Sequence, residues 1–109
     1  MRIIFTKMHG AGNDFIMIAR KDLVCNELSP NIIKKLCDRK RGIGANGLII
    51  VSSVGDNGDQ AKMIYYNSDG SKGEMCGNGL RCASYFATKN LGLNSDLMIH
   101  TDAGILKTS

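Results

Sequence analysis

The amino-acid sequence alternates between short apolar runs and polar segments that contain glycine. It has 13 glycines and a single proline in 109 residues, and the glycines mostly stand between the apolar runs. The longest of these runs, residues 48–51, has the length of a strand and is far below the roughly 18 residues of a membrane span. Runs of this length bounded by glycine are typical of strands joined by turns. The pattern therefore predicts a strand-rich fold and no membrane-spanning segment.

Six strands and two helices follow from the spacing of the apolar residues. Strands are predicted at residues 2–8, 15–19, 48–52, 61–66 and 97–101, with another beginning at Ile105, and turns at 9–14 and 55–59. The first helix begins at Ser29-Pro30, since serine suits the N-cap and proline the first helical position, and Gly42 is its expected end. The second helix covers residues 78–91, and its apolar or small residues on nearly every side indicate a buried element. This order predicts an α+β domain.

Length and composition limit the function classes. A chain of 109 residues is long enough for one domain, residues 1–109, and its 43% hydrophobic and 22% charged content is ordinary for a globular protein. The N-terminus lacks the apolar stretch of a secretory signal, so a cytoplasmic location is expected, and the four cysteines are expected to be free thiols. No close ligand spacing indicates a metal site. The net charge of +4 is concentrated near Arg39-Lys40-Arg41, which predicts a solvated helix end and no nucleic-acid surface.

The segment Cys76-Gly77-Asn78-Gly79 carries the strongest chemical signal. It places a thiol at the predicted start of the second helix, where unpaired backbone N–H groups favour a thiolate. The same N–H groups can bind a carboxylate, and glycine lets a ligand approach the backbone. A base beside an anion site suits removal of the proton next to a carboxylate. A small buried residue is the alternative for Cys76, and the residues alone leave the two even.

Other polar residues are ambiguous from the sequence alone. Asn13 and Asn67 each stand at the end of a strand, where a role in the turn competes with ligand binding. Glu74 and His9 are open between a solvated charge and a substrate contact. The G-x-G-x-x-G pattern at residues 42–47 follows a helix and precedes a strand, the reverse of a dinucleotide-binding site. Cys37 and Cys82 lie within the predicted helices and are interpreted as buried residues.

Three segments together resemble the diaminopimelate epimerases. They are Phe5-x-Lys7-Met8-His9-Gly10-x-Gly12-Asn13-Asp14-Phe15, then Asp38-Arg39-x-x-Gly42-Ile43-Gly44, and Tyr66-Asn67-x-Asp69-Gly70-Ser71 leading into Cys76-Gly77-Asn78-Gly79-Leu80-Arg81-Cys82. The last is the signature of the family. The resemblance implies a mixed, mostly antiparallel sheet wrapped around a central helix, as one of two similar α+β domains with the active site in the cleft between them.

The same resemblance implies a reaction and a set of site residues. The reaction inverts one stereocentre of LL-diaminopimelate to give the meso form, for lysine and peptidoglycan synthesis, without pyridoxal phosphate, any other cofactor or a metal. Cys76 would be one of two catalytic thiols, Gly77 and Asn78 would bind the α-carboxylate through backbone N–H groups, and Asn13 and Asn67 would contact the substrate. The expected partners are the small-molecule substrate and a carboxy-terminal domain of the same enzyme; a homodimer is left open.

Two departures from the family pattern affect this interpretation. Asn46 stands where family members often have Asp, and the loss of that carboxylate is expected to weaken loop hydrogen bonds or a substrate contact. The second cysteine belongs to the carboxy-terminal half of the family, so this chain alone is expected to be inactive. The alternatives are an inactive half-domain, a racemase or isomerase of the same fold, and a non-enzymatic thiol sensor or binding module.

Overall fold

A computed structural model of the chain describes residues 3–10, 12–23, 28–73 and 77–108. Within these ranges it has six strands, two α-helices and one short 3₁₀ helix. The strands are β1 (Thr6–Gly10), β2 (Asn13–Ala19), β3 (Gly47–Ser53), β4 (Gln60–Asn67), β5 (Leu97–Thr101) and β6 (Gly104–Thr108). The helices are α1 (Pro30–Cys37) and α2 (Gly77–Leu91), and the 3₁₀ turn is Arg20–Asp22.

The six strands form one sheet in chain order, β1 to β6. The pairs β1/β2, β3/β4 and β5/β6 are antiparallel, whereas β2/β3 and β4/β5 are parallel. The parallel pairs need crossover connections, and α1 and α2 lie in those two connections. The prediction of a mixed, mostly antiparallel sheet around a central helix is therefore confirmed, with α2 as that helix.

The two helices cover opposite faces of the sheet because side chains alternate along each strand. In β2, Phe15 and Met17 belong to the core under α2, whereas Ile16 and Ile18 belong to the core under α1. All four are at most 1% exposed. Side chains of this kind contribute about 2 kcal/mol each when fully buried. A continuous apolar run thus becomes a central strand with a core on each side.

Helix α1 begins as expected but ends earlier than predicted. The Ser29 hydroxyl accepts a hydrogen bond from the backbone N–H of Ile32 at 3.2 Å, which confirms the N-cap. The helix ends at Cys37 and not at Gly42, because the Asp38 carboxylate accepts hydrogen bonds from the backbone N–H groups that follow it. The chain then turns back, and the N–H groups of Ile43 and Gly44 donate to the Leu36 carbonyl.

The prediction of a turn at residues 9–14 is wrong for most of that segment. Strand β1 continues to Gly10 and β2 already begins at Asn13, so the two strands pair up to Gly10–Asn13. Gly12 lies between them with a φ of 92°, a conformation that glycine adopts without strain. The glycines that suggested an irregular loop are instead compatible with a very short hairpin connection.

The expectation that α2 is buried on nearly every side is also wrong. The helix buries one face, which includes Cys82, Ala83 and Phe86, against the sheet. Its opposite face is open: Tyr85 is 57% exposed, and Arg81 and Lys89 are exposed as well. Small residues between those positions made the helix resemble an all-round apolar element in the sequence. In the part of the chain that is described, no helix is long and apolar enough to cross a membrane.

Candidate active site at the asparagine end of the sheet

Four strands of the sheet bring their polar termini to the same end. Strands β2 and β3 begin there and β1 and β4 finish there, because Gly10 pairs with Asn13, Phe15 with Gly47, and Gly47 with Asn67. The two asparagines predicted as substrate contacts therefore lie within two strands of each other. We call this region, defined by Asn13, Gly47 and Asn67, the asparagine end.

Both asparagines belong to the sheet face that α2 covers. Asn13 is two residues from Phe15, and Asn67 is two residues from Tyr65, so each shares a face with that aromatic residue. Phe15 and Tyr65 contact each other edge to face, with ring centroids 6.0 Å apart, beside α2 in the core. The apolar core thus ends at the aromatic pair, and the polar amides follow directly beyond it. Both asparagines are partly buried.

Glycine brings the start of α2 close to the β1–β2 hairpin. A side chain at Gly10 would lie 3.5 Å from the Asn78 carbonyl oxygen and 3.3 Å from the Cys82 sulfur, so the strand backbone packs directly on the first turns of the helix. Gly77, the first residue of α2, is exposed, and no atom of the described residues lies within 4 Å of the point where a side chain would begin. The first turn of α2, whose backbone N–H groups have no partners within a helix, therefore lies beside the asparagine end.

Tyr65 lies next to the asparagine end, between two glycines. A Cβ atom at Gly47 or at Gly73 would stand 2.5 Å from the tyrosine ring, on opposite ring edges. Any larger residue at either position would therefore collide with the ring unless the ring moved. Gly73 is also the last described residue before α2. The sequence alone does not reveal this role, since nothing local marks which glycine contacts which ring.

On the opposite face, Asp14 forms the best-defined ionic cluster in the described residues. Its two carboxylate oxygens accept hydrogen bonds from the Arg39 guanidinium at 2.8 and 3.0 Å, and the Lys7 ammonium lies 3.3 Å away. Asp14 is 7% exposed. The arginine holds the pKa of this carboxyl well below its usual range, with further contributions from the Asn46 N–H and from Lys7. Asp14 is therefore ionised throughout the neutral range.

Asn46 completes this cluster through a reciprocal pair of hydrogen bonds. Its side-chain oxygen accepts from the Asp14 backbone N–H at 2.9 Å, and its own backbone N–H donates to the Asp14 carboxylate at 2.9 Å. The amide oxygen thus supplies an acceptor to this loop, and the expected weakening relative to Asp stays a prediction. The cluster connects the residue next to Asn13 to the loop between α1 and β3.

The remaining predicted residues divide between buried, exposed and undescribed positions. Cys37 and Cys82 are buried, as the sequence indicated, and burial raises the pKa of the Cys37 thiol. His9 is exposed and pairs with Asp14 on the face away from α2. Cys76, Glu74 and Cys25 lie outside the described residues, so the catalytic role of Cys76 stays a prediction. No three His, Cys, Asp or Glu side chains within the described ranges lie close enough to share a metal ion.

A separate cavity lies elsewhere in the described part of the chain. It has a volume of about 370 Å³ and follows the outward face of α2 toward the end of β6, between Tyr85, Lys89 and Thr108. It shares no lining residue with the asparagine end. We give the asparagine end more weight because it combines convergent amides with the N-terminus of a helix, whereas the cavity contains no cluster of reactive groups.

The α+β fold of this chain is shared by solved structures of other proteins. The solved methylitaconate-delta-isomerase superposes with a TM-score of 0.72 over 93% of this chain and 32% of that one, at 17% identity. A phenazine biosynthesis protein of the PhzF family from Enterococcus faecalis superposes with a TM-score of 0.61 over 90% and 34%, at 12% identity. At these identities the likeness shows the fold alone.

Sequence comparison defines the family. Residues 5–109 match the family model for diaminopimelate epimerase. The chain is 50% identical over 104 residues to the diaminopimelate epimerase of Natranaerobius thermophilus, covering 93% of this chain and 33% of that relative. It is 46% identical over 109 residues to diaminopimelate epimerase 1 of Nostoc sp., covering 97% and 39%. The chain therefore belongs to the diaminopimelate epimerase family, and it spans about a third of the length of these relatives.

Proposed function

We propose that this chain is the amino-terminal half of a cofactor-independent epimerase that converts LL-diaminopimelate to the meso form in the cytoplasm. The observation that carries the proposal is the convergence of Asn13, Asn67 and the start of α2 at one end of the sheet. Membership of the family supplies the reaction and the substrate class. The chain contributes one catalytic thiol, Cys76, and the carboxy-terminal half of the enzyme contributes the other.

In this mechanism the substrate is fixed by its α-carboxylate. The backbone N–H groups of Gly77 and Asn78 donate hydrogen bonds to the carboxylate, and the helix dipole adds to this attraction. The exposed position of Gly77 supports this assignment, since no described side chain obstructs the approach. Asn13 and Asn67 contact the polar groups of the substrate from the sheet.

One thiolate takes the α-proton, and the electron pair left on carbon is stabilised by the hydrogen-bonded carboxylate. The second thiol donates its proton to the opposite face of the same carbon, which inverts the stereocentre. One thiolate becomes a thiol and the other thiol becomes a thiolate, so protons and charges balance. A single thiol cannot serve both faces, and we therefore expect no inversion by the 109-residue chain alone.

The activity test joins this chain to the carboxy-terminal part of the Natranaerobius thermophilus relative. The fusion is expected to form meso-diaminopimelate from the LL isomer in a coupled dehydrogenase assay, and the chain alone is not. Cys76→Ala should abolish turnover, whereas Cys82→Ala, in the core, should retain it. A folded fusion without activity would refute the function, and turnover by the chain alone would refute the requirement for two thiols.

The reactivity of the thiols offers a second test on the chain itself. Burial raises the pKa of Cys37, whereas a thiol at a helix N-terminus is expected to ionise at lower pH. Iodoacetamide labelling followed by peptide mapping should therefore modify Cys76 at a lower pH than Cys37. Equal labelling profiles for the two cysteines would contradict an activated Cys76.

A further inference from the structure

The side-chain amide of Asn67 is held in one orientation by its own loop. Its Nδ2 group donates a hydrogen bond to the Ser71 hydroxyl at 3.2 Å. The backbones of the same two residues are also joined, because the Asn67 N–H donates to the Ser71 carbonyl at 2.8 Å. In addition, the Gly70 N–H donates to the Asn67 carbonyl at 3.0 Å. The loop therefore fixes where Ser71 stands relative to the amide.

Asp69 determines the direction of the Ser71 hydroxyl hydrogen. Its carboxylate oxygen Oδ1 accepts from the Ser71 hydroxyl at 2.6 Å and from the Ser71 backbone N–H at 2.9 Å. These hydrogen bonds lower the pKa of Asp69, so the group is ionised at neutral pH. An ionised carboxylate can only accept hydrogen bonds. The single hydroxyl hydrogen of Ser71 must therefore point at Asp69.

The remaining lone pairs of the Ser71 oxygen determine the orientation of Asn67. With its hydrogen directed to Asp69, the hydroxyl can only accept from the asparagine, so Asn67 must present its NH₂ group. The reverse orientation would bring two oxygens together with no hydrogen between them. The side-chain oxygen Oδ1 of Asn67 is thereby turned away from Ser71. It lies 2.8 Å from the position of a side chain at Gly73, beside the chain that leads to α2.

We propose that Ser71 and Asp69 are positioning residues that fix the Asn67 amide with its oxygen toward the candidate site. In that orientation Asn67 offers an acceptor, so the ligand group that it binds must be a hydrogen-bond donor. This deepens the proposed function and rests on it, since the ammonium group of an amino-acid substrate is such a donor. A carboxylate at the same place would face the amide oxygen and be repelled.

Because Asp69 and Ser71 are exposed, their positioning role can be tested by substitutions that leave the protein folded. Asp69 and Ser71 are both exposed, so their substitution removes hydrogen bonds and leaves both cores intact. Ser71→Ala removes the acceptor for Asn67, whereas Ser71→Thr retains the hydroxyl and is the matched control. Asp69→Ala removes the acceptor that directs the serine hydrogen.

The first experiment reads the amide directly by NMR of the ¹⁵N-labelled 109-residue chain. In the parent and in Ser71→Thr, the Asn67 Nδ2 protons should show Overhauser contacts to the β-proton of residue 71. In Ser71→Ala the amide should lose its preferred orientation, and its Nδ2 protons should show contacts both to the β-protons of residue 71 and to the α-protons of Gly73. Parent Nδ2 protons that contact only the Gly73 α-protons would overturn the proposal.

The second experiment measures catalysis in the fusion described above. Loss of a hydrogen bond that holds the amide should raise KM for LL-diaminopimelate about fivefold in Ser71→Ala, with a smaller change in kcat. Ser71→Thr should stay near the parent value. If Ser71 only stabilised the loop, Ser71→Ala would lower the thermal midpoint and leave KM unchanged, and that result would overturn the proposal.

The two experiments separate this inference from the proposed function. An active parent fusion whose KM is insensitive to Ser71→Ala leaves the epimerase function standing and removes the positioning role. An inactive but folded parent fusion removes the epimerase function, and the NMR contacts of Asn67 then decide alone whether Ser71 and Asp69 set the amide orientation.

Discussion

The two asparagines at the end of the sheet occupy similar places but are supported in different ways. Asn13 is followed by Asp14, whose carboxylate is held by Arg39, Lys7 and Asn46 on the far face of the sheet. This support reaches Asn13 through the backbone. Asn67 is supported through its side chain, by an exposed serine and aspartate of its own loop.

The difference separates stability from orientation. The Asp14 cluster connects β2 to a loop that follows 25 residues later in the chain, so it contributes to the fold. The Asp69–Ser71 contacts span two residues and connect nothing distant. We therefore expect substitutions in the Asp14 cluster near Asn13 to lower the free energy of unfolding. Substitutions of Asp69 or Ser71 near Asn67 should instead change the orientation of the Asn67 amide. The glycines beside the two asparagines show the opposite order: the largest predicted loss of stability is at Gly73, which is near Asn67, and a smaller loss is predicted at Gly10, which pairs with Asn13.

Gly73→Ala should destabilise the chain more than Gly10→Ala. A Cβ atom at Gly73 would lie 2.5 Å from the Tyr65 ring and 2.8 Å from the Asn67 oxygen, so the ring must move. Overpacking of this kind costs about 2 kcal/mol. At Gly10 the nearest atom is the Cys82 sulfur at 3.3 Å, and the lower entropy of the unfolded alanine chain offsets part of the cost, leaving about 0.5 kcal/mol. Urea denaturation of both variants checks this, and a larger loss for Gly10→Ala would contradict it.

Local sequence signals predicted the fold better than the contacts of the site. Ser29-Pro30 was sufficient for the start of α1, and the apolar runs were sufficient for the approximate positions of the strands, because capping and alternation depend on neighbours in the chain. The hairpin at residues 9–14 was misassigned because glycine and asparagine favour turns when considered one by one. Pairing with β1 overrode that preference.

The support of the site depends on contacts that no local pattern encodes. Asp14 and Arg39 both stand in recognisable motifs, yet their ion pair forms only once β2 and β3 lie parallel and the loop after α1 turns back. The position of Tyr65 between Gly47 and Gly73 likewise requires the register of β3 and β4. By contrast, the Asp69–Ser71 contacts are local and could have been inferred from an Asp-Gly-Ser turn.

Asp14→Ala should give the second-largest loss of stability, and Asp69→Ala is its matched control. Asp14 loses its hydrogen bonds to the Arg39 guanidinium and the Asn46 N–H. Hydrogen bonds to a buried charged group contribute about 2 kcal/mol. Asp69 is exposed and its contacts are local, so Asp69→Ala should keep the parental midpoint of thermal unfolding. Equal losses of stability in the two variants would show that the contacts near Asn67 stabilise the fold as much as those near Asn13.

The stability contribution of Asp14 should also depend on pH. Because Arg39 lowers the pKa of Asp14 in the folded chain, its contribution is complete above the ordinary aspartate value of about 3.9 and declines as the pH falls below it. The stability difference between the parent and Asp14→Ala should therefore be constant from about pH 7 to pH 5 and smaller at about pH 2.5. A difference that grows on acidification would show that Asp14 is not stabilised as an anion.

The smallest expected effects concern Asn46. Asn46→Ala removes the acceptor for the Asp14 backbone N–H and should cost about 1 kcal/mol. Asn46→Asp keeps an acceptor and adds a second carboxylate near Asp14, but Lys7 and Arg39 are close enough to compensate for it. We expect Asn46→Asp to stay within about 0.5 kcal/mol of the parent, with any difference reduced at about 1 M salt because exposed charges are screened. If Asn46→Asp were as costly as Asn46→Ala, repulsion between the two carboxylates would outweigh the retained hydrogen bond. The support of Asn13 would then depend on charge balance more than on the acceptor that Asn46 provides.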